Sequence, residues 1–305
     1  RYNMNPQTAR SNTMLMITAL IWGFAFVAQR VGMDHIGPFA FNGIRFALGG
    51  LSLIPLIVYM DRKNGAPRMS LSTLLFGMLV GLVLVGGASL QQVGLVYTTA
   101  GKAGFITGLY VVLVPLLGLF FRQPAGAHIW IGAGVAVAGM YLLGVKEDFT
   151  IERGDFLELL GALFWAVHVQ LIGHLSKRID PLKLSSIQFL TCSAVSLAVA
   201  FFFETTTADS VRGALVPILY GGLLSVGVAY TLQVVAQKHA HPSHAAIIMS
   251  LESVFAAFGG WLMLGETLSV RGITGCALIL GGMVLSQLNI SFAGVSAAFK
   301  RVMRA

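Results

Sequence analysis

The chain of 305 residues is too apolar for a soluble protein. Hydrophobic residues make up 56% of it and charged residues only 10%, whereas a soluble domain carries about 25% charged residues. The formal net charge is +8, but the basic residues form no stripe of the kind that binds nucleic acid. The composition therefore predicts a polytopic membrane protein that contacts the lipid bilayer and no nucleic acid.

Ten apolar runs are long enough to cross a bilayer, since a helix needs about 20 residues for a hydrocarbon core about 30 Å thick. Short polar segments such as DRKNGAPR (61–68) separate these runs. The fold class is therefore predicted to be all-α, with ten transmembrane helices. The predicted spans are 13–33, 36–60, 71–98, 103–122, 126–145, 156–175, 183–204, 212–237, 243–264 and 272–290.

The distribution of Lys and Arg predicts the orientation of these spans. Thirteen of the 20 basic residues lie in the two tails and the even-numbered loops, six lie in the odd-numbered loops, and Arg45 lies inside the second span. Because cytoplasmic loops carry the excess of Lys and Arg, both termini are expected in the cytoplasm.

A shift of 143 residues brings the two halves of the chain into partial agreement. ALIWG (19–23) then falls on ALFWA (162–166), and GMYLL (139–143) falls on GMVLS (282–286). Each half has five spans, an odd number, so the second copy is inverted in the membrane. Inverted repeats build many secondary transporters, with the substrate site near the midplane. The predicted units are a first repeat (1–146), an inverted second repeat (156–290) and a cytoplasmic tail (291–305).

Two charged residues lie inside apolar runs. Glu252 is nine residues into its span, near the predicted midplane, where a charge costs about 2.5–3.5 kcal/mol. Its functional role would be that of a proton carrier or of a counter-charge for a substrate amine. The alternative is a fixed structural acid. Arg45 is its candidate partner; it alternatively binds a substrate carboxylate or reaches a lipid headgroup. Both are predicted to be coupling or structural charges.

Polar and aromatic residues recur at helical spacing along several spans, which predicts a central substrate cavity. Interhelical hydrogen bonds and an interfacial aromatic belt are the alternatives. The residues assigned to the cavity are Trp22, Phe26, Gln29, Gln91, Tyr110, Trp165, His168, Tyr230, Gln233 and Gln237.

Residues near the ends of spans have other predicted roles. Lys102 and His244 fall at matching repeat positions and are expected at the mouths of the pathway. The segment KHAHPSH (238–244) lacks the i, i+4 spacing of a helical metal site, so no metal and no cofactor are expected. Glu266 is expected to be a helix cap or a loop contact.

The second half resembles a known family. SLESVFAAFGGWLMLGETLS (250–269) and ALILGGMVL (277–285) are similar to the ninth and tenth helices of the EamA branch of the drug/metabolite transporter superfamily. The first half departs from the pattern, with Tyr110 and Pro115 where an acid-centred motif is typical. The resemblance covers essentially the whole chain. Within the family, the chain is most similar to the aromatic amino-acid exporters. The resemblance implies five plus five helices in a bacterial inner membrane.

The function that follows from the repeat and the resemblance is a secondary transporter that moves a small-molecule substrate by alternating access. An amino-acid exporter is the first choice, and proton coupling is an option. The alternatives are a carrier of cationic drugs or of a nucleotide sugar and, lower in rank, an intramembrane enzyme, for which no HExxH or GxSxG motif exists. Gly77 and Gly81 form one GxxxG motif, which leaves a monomer or a weak homo-oligomer open.

Overall fold

The computed structural model describes residues 6–65, 69–123, 125–144, 152–267 and 269–287. Within these ranges, all regular structure is helical. The predicted tail 291–305 lies outside the described residues, as do Arg1, Arg68 and Lys146 of the charge count.

The first five spans contain six helices, because a turn at Gly108 and Leu109 divides the fourth span into two. The helices are α1 (Pro6–Gly32), α2 (Pro38–Asn64), α3 (Leu71–Gly94), α4 (Ala100–Thr107), α5 (Tyr110–Phe120) and α6 (Ala127–Gly144).

The remaining spans contain eight α-helices and one π-helical segment, Tyr220–Tyr230. The helices are α7 (Arg153–Leu175), α8 (Pro181–Phe203), α9 (Ala208–Gly213), α10 (Leu215–Leu219), α11 (Thr231–Gln237), α12 (Pro242–Met249), α13 (Glu252–Leu264) and α14 (Val270–Gln287). The eighth span joins α10, the π-helical segment and α11, and the ninth joins α12 and α13.

Eight of the predicted spans are long and apolar enough to cross a membrane. The other two, α6 and α14, are shorter, with 18 residues each. The chain is therefore a multi-pass helical membrane protein, and the count of ten crossings stays a prediction.

Two ion pairs identify the ends of the bundle. Lys183 Nζ lies 2.9 Å from Asp61 Oδ1 and joins the start of α8 to the end of α2. Lys102 Nζ lies 2.6 Å from Asp155 Oδ2 and joins the starts of α4 and α7. These pairings agree with successive spans that run in opposite directions. We call the two ends of the bundle the Lys183 end and the Lys102 end.

The packing crosses between the two predicted halves. Helix α2 packs against α8, α6 against α14, and α1 against both α13 and the π-helical segment. Gly77 and Gly81 contact Ile187 and Thr191, so the GxxxG motif joins α3 to α8 of the same chain. The contacts fit an inverted repeat, which itself stays a prediction.

The fourth and ninth spans each run as one apolar helix, Ala100–Phe120 and Pro242–Leu264, and each contains a turn at an equivalent place. Gly108 and Leu109 separate α4 from α5, and Ser250 and Leu251 separate α12 from α13. Backbone hydrogen bonds continue across both turns: the Val111 N–H donates to the Gly108 carbonyl oxygen (3.0 Å), and the Phe255 N–H donates to that of Leu251 (3.1 Å). The turns make Tyr110 and Glu252 the first residues of α5 and α13.

Two carboxylates cap helix starts at the Lys102 end. Glu204 accepts hydrogen bonds from the backbone N–H groups of Phe39 (2.9 Å) and Ala40 (2.8 Å) in the first turn of α2. Glu266 accepts from Ala100 (3.1 Å) and Gly101 (3.2 Å) in the first turn of α4. Glu266 is thus a cap, one of the two roles expected from the sequence. Each acid satisfies N–H groups that a helix start leaves unpaired and meets the positive end of the helix dipole.

Candidate functional site

A small cavity lies where the fourth and ninth spans meet the other helices. Its volume is about 30 Å³, which is room for about two water molecules. It is lined by Trp22, Ala25, Phe26, Gln29, Arg45, Gln91, Thr107, Tyr110, Trp165, His168, Val169, Ser225, Tyr230, Gln233 and Glu252. These residues come from both predicted halves.

Nine of the ten residues that the sequence assigned to a cavity line this one. Gln237 does not, and that assignment is wrong. Its Nε2 donates to the Val169 carbonyl oxygen (3.0 Å), and its Oε1 accepts from Gln233 Nε2 (3.0 Å). Gln237 therefore joins α11 to α7, which is the interhelical role that the sequence left as the alternative.

Tyr230 is at the centre of an aromatic cluster. Its ring centroid lies 4.5 Å from that of Trp22 and 6.1 Å from that of Trp165. The rings of Phe46 and Phe189 lie 6.0 and 5.8 Å away. Aromatic pairs at these separations attract each other beyond simple burial, so the cluster forms a rigid apolar wall on one side of the cavity.

A chain of amide hydrogen bonds forms a second wall. Trp165 Nε1 donates to Gln91 Oε1 (3.0 Å), and Gln91 Nε2 donates to Gln29 Oε1 (3.1 Å). Gln29 Nε2 donates to the carbonyl oxygen of Ala25 (3.1 Å). The network fixes the ring of Trp165 and joins α7, α3 and α1 beside the cavity.

Arg45 is buried in the cavity wall, with 1% of the residue exposed. Its Nε donates to Asn42 Oδ1 (2.9 Å), and its guanidinium carbon lies 4.9 Å from the Phe46 ring centroid and 5.5 Å from that of Phe41. The described residues contain no ion pair between Arg45 and Glu252, so the expected partnership is wrong. This burial also excludes the alternative in which Arg45 reaches a lipid headgroup.

Glu252 is 3% exposed and is the first residue of α13, directly after the turn in the ninth span. The side chain of Tyr110 is next to it. The Tyr110 hydroxyl faces this carboxylate, and in the described part of the chain Glu252 Oε1 makes no hydrogen bond of good geometry. Gly23 lets α1 approach this point, since a Cβ there would lie 2.8 Å from the Glu252 carbonyl oxygen. The acid therefore has acceptor capacity available inside the cavity.

Lys102 and His244, the predicted mouth residues, lie outside the cavity lining. Lys102 pairs with Asp155 at one end of the bundle. His244 Nε2 lies 3.3 Å from Asn12 Oδ1 near the start of α12, at the Lys183 end. The two residues are thus at opposite ends, and their role at the mouths stays a prediction. Over the described ranges, no group of His, Cys, Asp or Glu side chains is placed to hold a metal ion.

Glu158, on α7, is a buried acid that the sequence reasoning missed. It is fully buried, and its Oε2 accepts from the Thr107 hydroxyl (3.0 Å). Its signal is present in GDFLELLG (154–161), where Glu158 follows Asp155 by one helical turn. A position so near the start of an apolar run suggests a membrane surface, and only the packing of α3 and α4 over α7 buries it.

Comparisons with known proteins agree with this architecture. The chain is 33% identical over 277 residues to an uncharacterised transporter of Archaeoglobus fulgidus, covering 90% of this chain and 85% of that one. It is 24% identical to the uncharacterised transporter YoaV of Bacillus subtilis, covering 91% and 96%. It is 23% identical to the uncharacterised inner membrane transporter YedA of Escherichia coli, covering 88% of each.

A solved crystal structure has the same fold, with a TM-score of 0.76 at 19% identity, over 91% of this chain and 98% of that one. The model of the EamA-like transporter family matches two successive ranges, 10–145 and 152–288. Two matches in tandem fit an internal duplication. The resemblance to the EamA branch is confirmed, and this chain belongs to the EamA-like transporter family.

Proposed function

We propose that the protein is a secondary transporter of aromatic or neutral amino acids that exports them by alternating access across a bacterial inner membrane. One observation carries this proposal: a single cavity contains an acid, a cation and an aromatic wall. These are Glu252, Arg45 and the cluster around Tyr230. The acid, the cation and the aromatic wall would bind the ammonium group, the carboxylate and the ring of an aromatic amino acid, respectively.

The chemistry of a zwitterion matches the two charges. An ammonium group would pair with Glu252, whose Oε1 makes no hydrogen bond of good geometry among the described residues. A carboxylate would pair with the guanidinium of Arg45, whose planar donors suit a two-oxygen ligand. A neutral solute would leave two buried charges uncompensated, which is costly. The cavity therefore favours a solute that carries both charges.

The aromatic side chain of the solute would lie against Tyr230 and Trp22, whose rings already contact each other. Since the cavity holds about 30 Å³, an amino acid enters only after the spans separate. The turns between α4 and α5 and between α12 and α13 lie beside the cavity, where Thr107, Tyr110 and Glu252 line it. Rocking of the two halves would then widen the cavity towards one side at a time.

The test is counterflow of labelled phenylalanine in proteoliposomes. Saturable exchange is expected for the natural chain. Replacing Arg45 by Met removes the carboxylate partner, so the KM for phenylalanine should rise about tenfold or more, because hydrogen bonds to charged groups contribute about 1.5–3 kcal/mol. The KM for 2-phenylethylamine, which has no carboxylate, should change little. Arg178→Met at the exposed Lys183 end is the control and should change neither KM.

A carrier of cationic drugs is the second candidate, because Glu252 and the aromatic wall would also bind an organic cation. In that case 2-phenylethylamine is preferred over phenylalanine, and Arg45→Met leaves both unchanged. That outcome, or the absence of phenylalanine exchange in the natural chain, contradicts the amino-acid proposal. A nucleotide sugar is disfavoured, since its phosphates would lie beside Glu252.

A further inference from the structure

We propose that Glu158 is a second proton-carrying acid of this transporter, and that it connects the cavity to the Lys102 end through Thr107 on one side and Asp155 on the other. The inference rests on the proposed transport function and adds to it a route for the proton. The role is assigned to Glu158, a buried acid that does not line the cavity and does not bind the solute.

Glu158 is fully buried between α7, α3 and α4, yet only one of its oxygens is hydrogen-bonded. Oε2 accepts from Thr107, and Oε1 has no partner among the residues that the structure describes. The carboxyl group fits because position 94 is glycine: a Cβ on Gly94 would lie 2.8 Å from Glu158 Oε1. A buried polar atom with unused capacity is costly, so this acid needs a role beyond packing.

Thr107 provides the link to the cavity. It lines the same space as Glu252 and donates its hydroxyl hydrogen to Glu158. A hydroxyl group is both donor and acceptor and can rotate. Thr107 can therefore accept a proton from the cavity side while it gives one to Glu158, and no atom other than hydrogen has to move far.

Asp155 provides the link to the Lys102 end. It precedes Glu158 by three residues and so lies on the same face of α7. Its Oδ2 contacts Lys102 Nζ at 2.6 Å, and its Oδ1 accepts from the Thr98 hydroxyl (3.2 Å). The Lys102 side chain is 30% exposed. The sequence of groups from the cavity to the surface is thus Glu252, Thr107, Glu158, Asp155 and Lys102.

The other titratable groups on α7 itself are Arg153, Asp155, His168 and His174, of which His168 lines the cavity. Asp155 on its own helix and Glu252 on α13 act on it electrostatically, and Lys102 on α4 is held by Asp155. Helices α3 and α11, which also pack on α7, contain no titratable residue. Tyr110 on α5 lies beside Glu252, and His244 on α12 lies at the opposite end.

The first experiment separates proton movement from solute exchange. Proteoliposomes loaded with a pH-sensitive dye are given labelled phenylalanine, with and without a pH gradient. Glu158→Gln keeps an acceptor for Thr107 but cannot release a proton. Its exchange at equal pH should stay within about twofold of the natural chain, while gradient-driven uptake and dye response fall about tenfold or more.

Two further variants make the result specific. Thr107→Val removes the hydroxyl link and should reproduce the loss in Glu158→Gln. Asp209→Asn removes an exposed acid on α9, outside the route, and should behave as the natural chain. Glu158→Asp keeps a titratable group and should restore part of the gradient-driven uptake.

The second experiment needs no solute. Infrared difference spectra of the purified protein between about pH 5 and about pH 9 report carboxyl groups that gain or lose a proton. A band that is lost in Glu158→Gln and kept in Asp209→Asn is expected. An acid with a fixed charge state would give no such band.

The outcomes distinguish this inference from the proposed function. If the natural chain exchanges phenylalanine while Glu158→Gln moves protons normally, the inference is wrong and the transport function stands. The inference is also overturned if the natural chain exchanges phenylalanine with no dye response. If phenylalanine is not exchanged but the Glu158 band is found, the amino-acid proposal fails and the titration of Glu158 stands.

Discussion

Arg45 and Glu252 share a cavity without pairing with each other, and each has its own support. Arg45 is held by Asn42 and the face of Phe46, whereas Glu252 lies at a helix start. A direct ion pair would have to be broken before a solute could bind either charge. Separate supports leave both charges available as ligands, which is the basis of the proposal for a zwitterionic cargo.

Helical periodicity selected residues of which most line one cavity, because a face rich in amides and aromatics cannot be left in lipid. Periodicity could not determine which neighbour each amide meets. Gln237 therefore fell outside the cavity, where it bonds Val169. Glu158 was missed because its burial depends on helices that lie elsewhere in the sequence, which periodicity along α7 does not show.

His241 gives a prediction on pH. Its Nδ1 accepts from the Ser243 backbone N–H (3.3 Å) and caps α12. Burial, with a smaller effect of Lys177, lowers the pKa of His241. The folded chain therefore binds this proton less readily than the unfolded chain. The cap's contribution, about 0.5–2 kcal/mol, should be complete above about pH 6.5 and lost as the pH falls through the lowered pKa.

The measurement is the thermal unfolding midpoint of the detergent-solubilised protein as a function of pH. His241→Asn keeps a capping acceptor that does not titrate, so its midpoint should fall less than that of the natural chain under acid conditions. Equal slopes in both proteins would contradict the prediction.

At the scale of elements, the helix positions were predictable and the turns within the fourth and ninth spans were not. The run SLES (250–253) contains neither Gly nor Pro, so nothing local marks the turn before Glu252. Tertiary contacts stabilise the turn instead: the Ser253 hydroxyl donates to the Gly104 carbonyl oxygen (2.6 Å) and joins the two spans. A single sequence shows the apolar run but not a hydrogen bond across 149 residues.

The contact of α6 with α14 gives a prediction for matched glycines. A Cβ on Gly282 would lie 2.5 Å from the Gly132 carbonyl oxygen, whereas a Cβ on Gly281 meets nothing within 4 Å. Gly282→Ala should force the helices apart and destabilise the fold by about 1–3 kcal/mol. Gly281→Ala should be neutral or slightly stabilising.

Unfolding midpoints of the two alanine variants test this point, with Gly134→Ala as a second control on α6, where a Cβ also meets open space. Equal stability of Gly282→Ala and Gly281→Ala would mean that α6 and α14 do not approach so closely.

At the scale of the whole molecule, the repeat and the charge count predicted a sidedness. The Lys183 end is expected in the cytoplasm and the Lys102 end outside, because the even-numbered loops hold more Lys and Arg. Lys183 and Asp61 belong to even-numbered loops, and their ion pair shows that these two loops lie at the same end of the bundle. Spans that alternate in direction require this arrangement.

Cysteine labelling in whole cells checks this orientation. Cys192 and Cys276 are first replaced by Ala, and single cysteines are placed at the exposed positions Thr206 and Lys177. A membrane-impermeant maleimide should label Thr206→Cys in intact cells and Lys177→Cys only after the membrane is opened. The reverse pattern would place both termini outside.

The caps made by Glu204 and Glu266 have a consequence for the ionic composition of the surroundings. Separation of α2 from Glu204 and of α4 from Glu266 would uncover four backbone N–H groups. Small anions in the medium could then take the place of the carboxylates. Any such separation would therefore be sensitive to the anions on that side of the membrane.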